Sequence, residues 1–460
     1  MDINKILKCL SENETVSLKN LVEFLKIPSI STDKKYKNDC KIAANWISDY
    51  ISKIGFQSNV YNTDGHPIVL ASAGEGNPHL LFYGHYDVQP VDPLNLWNHD
   101  PFSPKIEKID NDFFIKGRGA SDDKGQLMTF VEACDAFFKV FKELPFKITI
   151  LLEGEEECGS PSLLPFLKNN KDKLNADYAL ICDTGMWDKK TPSISTKLRG
   201  MMGEEICLTG PNKDLHSGMY GGPVVNPIKS LCELLSKLHD SNGKILIPHF
   251  YDDIIETNEE TLSKWKELNF SDEKFFQNIG LSCSTGEKGY STLEKIWTRP
   301  TCEINGIWGG YTDEGFKTVI PSQANAKISF RLVDGQDPEK IRDDFQKYII
   351  KNLDPSCKIK FISTEGSKSI NTPIDTLIIK ETISALNDEW GKEPVLAGCG
   401  GSIPIVSFFK EILNLDSLLV GFAQDDDQIH SPNEKYDLNS FIKGKKSWAR
   451  ILYNLKGKNI

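Results

Sequence analysis

A chain of 460 residues, 39% hydrophobic and 26% charged, is too long for one ordinary core and too apolar to stay disordered, so two folded domains are expected. Its formal net charge of −11 excludes a nucleic-acid backbone or an anionic membrane as the main partner. The 11 cysteines form no CxxC pair, no basic-then-apolar leader opens the chain and no run reaches the ~20 apolar residues of a membrane span, so a reducing, cytoplasmic location is expected.

In chain order, apolar spacing predicts amphipathic helices over 16–25 and 42–54. An apolar run, Leu80, Leu81, Phe82 and Tyr83, then passes through Gly84 to His85, Tyr86 and Asp87. A buried helix is predicted over 125–141, and strands over 146–152 and 178–181. Short apolar runs alternating with helical ones are the pattern of a βαβ sheet with helices on both faces. From about Arg199 the texture becomes strand, helix, strand, helix, strand, a compact α+β unit. Beyond Gly366 a helix (376–390), an apolar run (415–422) and a last helix (441–455) resume the first pattern. The expected organisation is a discontinuous catalytic domain, 1–197 and 366–460, with an inserted domain over 198–365.

Four apolar runs end alike. They lead to His85 and Asp87, to Glu155, Glu156 and Glu157, to Asp183, and to Asp425, Asp426, Asp427 and then His430. In open α/β sheets the ligand crevice lies outside the carboxyl ends of the strands, so neighbouring runs would bring these groups to one rim. A Gly-rich turn, GRGASDDKGQ over 117–126, adds Asp122 just before the long helix. Singly, each pattern is bland: HxD is usually a turn, and acidic runs are usually solvated surface. Their recurrence after buried strands is what carries information. Histidine and carboxylates without cysteine suit zinc, manganese or cobalt rather than a structural zinc–cysteine site. Five candidate ligands exceed what one zinc takes from protein, so two ions sharing a carboxylate is the simplest reading.

The motifs GHYDVQP, WNHDPFSP, GRGASDDKG, LEGEEECGS, CDTG, KDLHSGMYGG, TVIP, SFRLV, GGSIP and DDDQIHSPNE resemble, in this order, those of the two-metal aminoacylase/carboxypeptidase-type metallopeptidases. The resemblance is strongest to the branch of cytosolic non-specific dipeptidases and carnosine dipeptidases, and it runs from about Leu18 to Leu455. It implies a zinc-exopeptidase-like catalytic domain, mostly a parallel sheet with helices on both faces, and an inserted α+β lid and dimerisation domain. It implies two divalent ions per chain, zinc or manganese. One would be held by His85, Asp122 and Asp183 and the other by Asp122, Glu157 and His430. Glu156 would be the general base and Asp87 would orient His85, leaving Glu155 as neighbourhood charge only. His216 would stabilise the oxyanion from the insert of a neighbouring subunit. Arg331 would clamp a substrate carboxylate, to which Gly401 and Ser402 would offer backbone N–H groups and a hydroxyl.

The function this implies is metal-dependent hydrolysis of the amide bond of dipeptides or other short peptides. The alternative is an N-acyl-amino-acid deacylase with the same ions and base. The five ligands and Glu156 are all present, which argues against a catalytically dead scaffold, and no GxSxG elbow supports a serine hydrolase at Ser217. One departure stands out. Before GGSIP the dipeptidase branch generally carries a charged pair, whereas this chain has Gly398 and Cys399.

Overall fold

The computed structural model describes residues 1–268 and 270–460. It forms two compact units: Met1–Thr196 with Thr372–Ala397 and Phe408–Ile460, and Lys197–Asn371 with Gly398–Ser407. In chain order the first unit opens with α1 (Ile3–Glu12), α2 (Glu14–Leu25), α3 (Lys37–Ile54), β1 (Gln57–Tyr61), β2 (Ile68–Ala73) and β3 (Leu80–His85). It continues with α4 (Lys124–Phe141), β4 (Ile148–Glu153), β5 (Tyr178–Ile181) and β6 (Ser193–Leu198). The second unit follows as β7 (Gly200–Thr209), α5 (Pro227–Ser236), β8 (Thr301–Gly309), β9 (Gln323–Leu332), α6 (Pro338–Asn352) and β10 (Lys358–Ser363). The chain then adds α7 (Leu377–Trp390), β11 (Ser417–Leu419) and α8 (Leu438–Leu455) to the first unit.

The main sheet of the first unit runs β1-β2-β4-β3-β5-β11-β6. Its centre, β4-β3-β5-β11, is parallel, and the flanking pairs are antiparallel, so the sheet is mixed. β3 and β4 are buried at every residue, which is why they read as unbroken apolar runs: helices cover both faces. Phe82 of β3 stacks on Phe130 of α4 with centroids 3.8 Å apart, and Trp448 of α8 meets Phe130 edge-on at 5.4 Å. This packing fixes the register of the strands and therefore where their carboxyl ends fall.

One core group breaks the apolar pattern. Lys445 on α8 is fully buried, and its Nζ has no hydrogen-bond partner among the described residues. Burial pushes its pKa down to about 8, against the pull of Glu132 and Glu14 and with the help of Lys446 and Lys139. Lys445→Met is expected to stabilise the protein by roughly 2–3 kcal/mol at neutral pH, because the displaced proton affinity is a folding cost. The sign is testable. Between pH 8 and ~10.4 the unfolded lysine keeps a proton that the folded one has released, so the wild type recovers this cost as pH rises. The gap in Tm between variant and wild type should be widest near pH 7 and shrink by pH 10. A gap that does not change with pH would mean that the amine is solvated.

The second unit is built on an antiparallel sheet in the order β8-β9-β7-β10. β7 alternates buried and half-buried residues along its whole length, the signature of one covered face. Ile206, Leu208, Ile328 and Phe330 from that face pack with Leu231 and Leu234 of α5 and Phe345 of α6. Both helices start on a capping side chain followed by proline: Asn226 accepts from the Ile228 N–H, and Asp337 from the Glu339 N–H. Between α5 and β8 lies a helical excursion that the sequence reading did not define. Arg299 pins it, with Nε and Nη2 on the two oxygens of Glu287 at 2.9 Å and Nη1 on Glu256 at 3.0 Å.

The segment Gly398–Ser407 belongs to this second unit, although it lies within residues 366–460 expected for the first. The physical reason is Arg199. Its N–H bonds the Gly401 carbonyl (3.2 Å), its Nε bonds the Gly400 carbonyl (2.8 Å), and its own carbonyl accepts from Ser402 Oγ. No helix among the described residues is long and apolar enough to cross a membrane.

Candidate metal centre

The parallel strands deliver their ends to one rim. β3 ends on His85, β5 ends two residues before Asp183, and a short turn after β4 carries Glu156 and Glu157. Asp122 stands two residues before α4. Two sets of ligand atoms, His85 with Asp122 and Asp183, and Asp122 with Glu157 and His430, each lie within 4.8 Å of one another. Asp122 is common to both. Its Oδ1 is 3.0 Å from His85 Nε2, and its Oδ2 is 2.9 Å from His430 Nε2, which is also 3.2 Å from Glu157 Oε2.

Asp87 organises this rim from behind. His85 Nδ1 donates to the Asp87 carbonyl at 3.1 Å, which leaves the lone pair on Nε2. The Asp87 carboxylate accepts the N–H of Glu156 (3.3 Å) on one oxygen and that of Glu157 (3.1 Å) on the other. One buried residue therefore aligns a histidine through its carbonyl and two glutamates through its carboxylate.

The residues fit a pair of cations. His85 Nε2 turns a lone pair towards a carboxylate, and neither it nor Glu157 Oε1 has a hydrogen-bond partner among the described residues. Positive charge between the groups favours such an arrangement. The acid–base balance says the same. Burial, reinforced by Asp122, holds the Asp183 carboxyl well above its usual range. Burial likewise lifts Glu156 to about 7, with Asp122, Glu157 and Asp87 adding to it against His85. Hydrogen bonds to Asp122 and Glu157 raise His430 to about 10. The cluster gathers more negative charge than the chain neutralises. Its donors are nitrogen and oxygen only, a set suited to zinc or manganese.

Glu155 is not a loose neighbouring charge. It is buried, and its oxygens accept from the His66 N–H (3.0 Å) and the Ser162 N–H (2.9 Å). A Cβ on Gly65 would fall 1.6 Å from Glu155 Oε1, so the glycine is needed there for close approach. The middle and last glutamates of the run face the rim while the first ties the turn to the body of the unit. Sequence reasoning also missed Gln89, whose Nε2 donates to Glu157 Oε2 at 2.6 Å. Its signal was available, since it stands in the GHYDVQP motif.

Arg331, Ser402, Gly401 and His216 belong to the second unit. Arg331 on β9 is half-buried and donates from Nη1 to Ser402 Oγ at 2.8 Å. Ser402 Oγ in turn donates to the Arg199 carbonyl at 2.5 Å. Its hydrogen is thus used within the unit, and the hydroxyl expected to bind substrate instead holds the Arg331 fork. No carboxylate of the described residues forms an ion pair with Arg331. His216 is exposed at the start of a short helix, and its Nδ1 accepts the Gly218 N–H at 3.1 Å. In the neutral ring that contact puts the proton on Nε2.

The profile of peptidase family M20/M25/M40 matches residues 81–454. The Cys-Gly metallodipeptidase DUG1 of Saccharomyces cerevisiae is 31% identical over 454 residues, covering 94% of each chain. Human Beta-Ala-His dipeptidase is 30% identical over 396 residues, 85% of this chain and 77% of that one. The solved structure of the di-peptidase Dug1p from Saccharomyces cerevisiae has a TM-score of 0.86 to this chain at 28% identity, covering 100% of this chain and 99% of that one.

Proposed function

The chain belongs to peptidase family M20/M25/M40, and from that premise we propose that it hydrolyses the amide bond of dipeptides and other short peptides, with Glu156 as general base. The observation that carries this reading is the pair of ligand sets joined at Asp122, with Glu156 on the same turn as Glu157. The relatives named for dipeptides support it over the deacylase alternative. The enzyme is a metallopeptidase using two divalent ions, zinc or manganese: His85, Asp122 and Asp183 would hold one, and Asp122, Glu157 and His430 the other. When bound, they supply positive charge that polarises the substrate carbonyl and lowers the pKa of the attacking water.

The chain's own groups do the rest. Glu156, held by Asp87 through its backbone N–H, takes the proton from the attacking water and returns it to the leaving amine. A single carboxylate placed beside both the water and the departing nitrogen can do both. His216, exposed and with its Nδ1 occupied by the Gly218 N–H, is the donor for the developing oxyanion through Nε2. Arg331 receives the substrate carboxylate on the N–H groups that Ser402 does not use, beside the backbone amides of the Gly401 turn.

His216 is read as serving the partner's site in a homodimer. Support comes from β8, the edge strand of the second unit's sheet, which exposes Ile304, Ile307 and Trp308 at 46%, 52% and 43%. An apolar unpaired edge is an invitation to pairing with a second chain. No disulfide joins the cysteines of the described residues, in keeping with a cytoplasmic setting.

The test is turnover of Cys-Gly and Ala-Gly against N-acetyl amino acids, before and after exhaustive chelation and after re-addition of zinc or manganese. Dipeptides should be preferred, and chelation should abolish an activity that metal restores. Hydrolysis that survives chelation, or a preference for N-acetyl amino acids, would sink the reading. Arg331→Ala should cost about 1.5–3 kcal/mol in kcat/KM on substrates with a free carboxylate, and C-terminally amidated analogues should barely respond. Equal losses on both would make Arg331 a residue of the strand rather than of the subsite.

A further inference from the structure

The segment that carries His430 holds two more buried carboxylates that the chemistry above does not use. Glu434 is fully buried. One of its oxygens accepts from Arg118 Nη1 (2.8 Å) and the Gly119 N–H (2.9 Å). The other accepts from the Ser121 N–H (2.9 Å) and the Asp122 N–H (3.1 Å). Its carbonyl accepts the Gly117 N–H at 3.0 Å. Asp427 adds a second tie, accepting from Ser121 Oγ at 2.9 Å and the Gln424 N–H at 2.8 Å. Four residues after one ligand, a single side chain thus grips the backbone of the ligand shared by both ion sites.

Both ends of this grip are themselves fixed. Arg118 donates from Nη2 to the Pro90 carbonyl at 2.9 Å and lies 5.4 Å over the Trp97 ring. Asn433 accepts the Asn98 N–H and donates to the Leu96 carbonyl, each at 2.8 Å. Between them, Gln428, His430 and Asn433 have φ of 57°, 61° and 66°, the left-handed region that residues with a Cβ rarely occupy. A backbone held there relaxes unless its surroundings over-determine it. Here the Glu434 and Asp427 carboxylates do so, through charge-assisted hydrogen bonds into the 117–122 loop.

We propose that Glu434 is a positioning residue that locks the Asp122 backbone to the His430 segment, setting the spacing of ligands from two distant parts of the chain before any ion arrives. The proposal rests on reading Asp122 and His430 as ligands. It differs from the roles assigned to those residues, because Glu434 touches neither ion nor substrate and acts through them. Glutamine at this position would keep the shape but present an NH₂ group to N–H donors.

The experiment is titration of metal-free wild type and Glu434→Gln with zinc, read by competition with a chromophoric chelator. Far-UV circular dichroism and thermal unfolding of both metal-free proteins accompany it. Wild type should take up two ions. Glu434→Gln should stay folded yet need about 10- to 100-fold more free zinc for half-saturation, the usual cost of losing a group that orients a metal ligand. The rise in Tm produced by a fixed zinc concentration should shrink in step, while kcat at saturating zinc falls far less than the affinity does. A role confined to folding would lower the Tm of the metal-free protein and leave zinc affinity alone, and that result overturns the proposal. If wild type itself takes up no zinc, the ligand reading fails first and is recognised as such. Should Glu434→Gln not fold, Arg118→Lys decides. It keeps the carboxylate and its three backbone donors but loses the guanidinium fork, so zinc affinity should fall several-fold, and unchanged affinity rejects the proposal.

Discussion

Glu156→Gln should lower kcat by about 10²–10⁴-fold or more, the usual contribution of a positioned general base, while substrate still binds and two ions per chain remain. The substitution keeps the side chain's size and leaves the backbone N–H on Asp87 untouched, so neither ligand set loses a member. Glu155→Gln is the control. Its carboxylate is spent on the His66 and Ser162 N–H groups, so its loss should appear as a lower Tm, with kcat per folded molecule far less affected. Rapid-quench kinetics with metal analysis on both variants separates the two outcomes. Equal kcat losses at the two positions would mean that the base has been assigned to the wrong glutamate.

His216→Ala should cost about 10²–10³-fold in kcat, as removal of an oxyanion donor does elsewhere. The sharper test uses both variants in one cell. If His216 reaches the partner's site, a mixed dimer of His216→Ala and Glu156→Gln chains holds one site with an intact base and an intact donor. Its other site lacks both. With random pairing about half the dimers are mixed and half of their sites are whole, so about a quarter of wild-type activity should return. Mixed dimers confirmed by differential tags but no more active than the separate variants would place His216 within its own chain's chemistry, or outside it.

The strand ends were legible because burial writes itself into sequence. Parallel strands covered on both faces must be apolar throughout, so an acid or histidine at the end of such a run has few reasons to be there except the rim. The second unit showed itself as a change of texture to strand, helix, strand, helix, strand from about Arg199, and the structure adds the alternating burial of β7 and β9. What stayed hidden was set by contacts between distant parts of the chain. Glu155, Glu156 and Glu157 are three identical letters. Only the tertiary placement of His66 and Ser162 turns the first inward. Glu434 stood inside a recognised motif, yet its function depends on four donors some 312 to 316 residues away in sequence. The assignment of Gly398–Ser407 to the second unit depends on hydrogen bonds from Arg199 that no local pattern encodes. The helices Glu259–Lys266 and Asp272–Asn278 are charged and only 8 and 7 residues long, and they gave no periodic signal long enough to read.

The departure at Gly398 and Cys399 acquires a steric meaning from the second unit. A Cβ built on Gly398 would lie 2.5 Å from Trp297 Cβ and 2.6 Å from its Cγ, and Trp297 is itself set edge-on against Trp265 at 4.9 Å. Any side chain at 398 would therefore collide with the Cβ and ring root of residue 297, so the fold holds this position to glycine. Trimming the Trp297 ring alone would not relieve it, because the closest atom is the Cβ that every residue but glycine carries. Restoring the family's charged pair by one substitution would be harmful in this chain, and removing Trp297 first would open a void in the Trp265 stack. A lineage that acquires a charged pair here has to move the backbone around residue 297 as well as change the residues at 398 and 399, so the route between the two versions runs through a shift of the main chain rather than a swap of side chains.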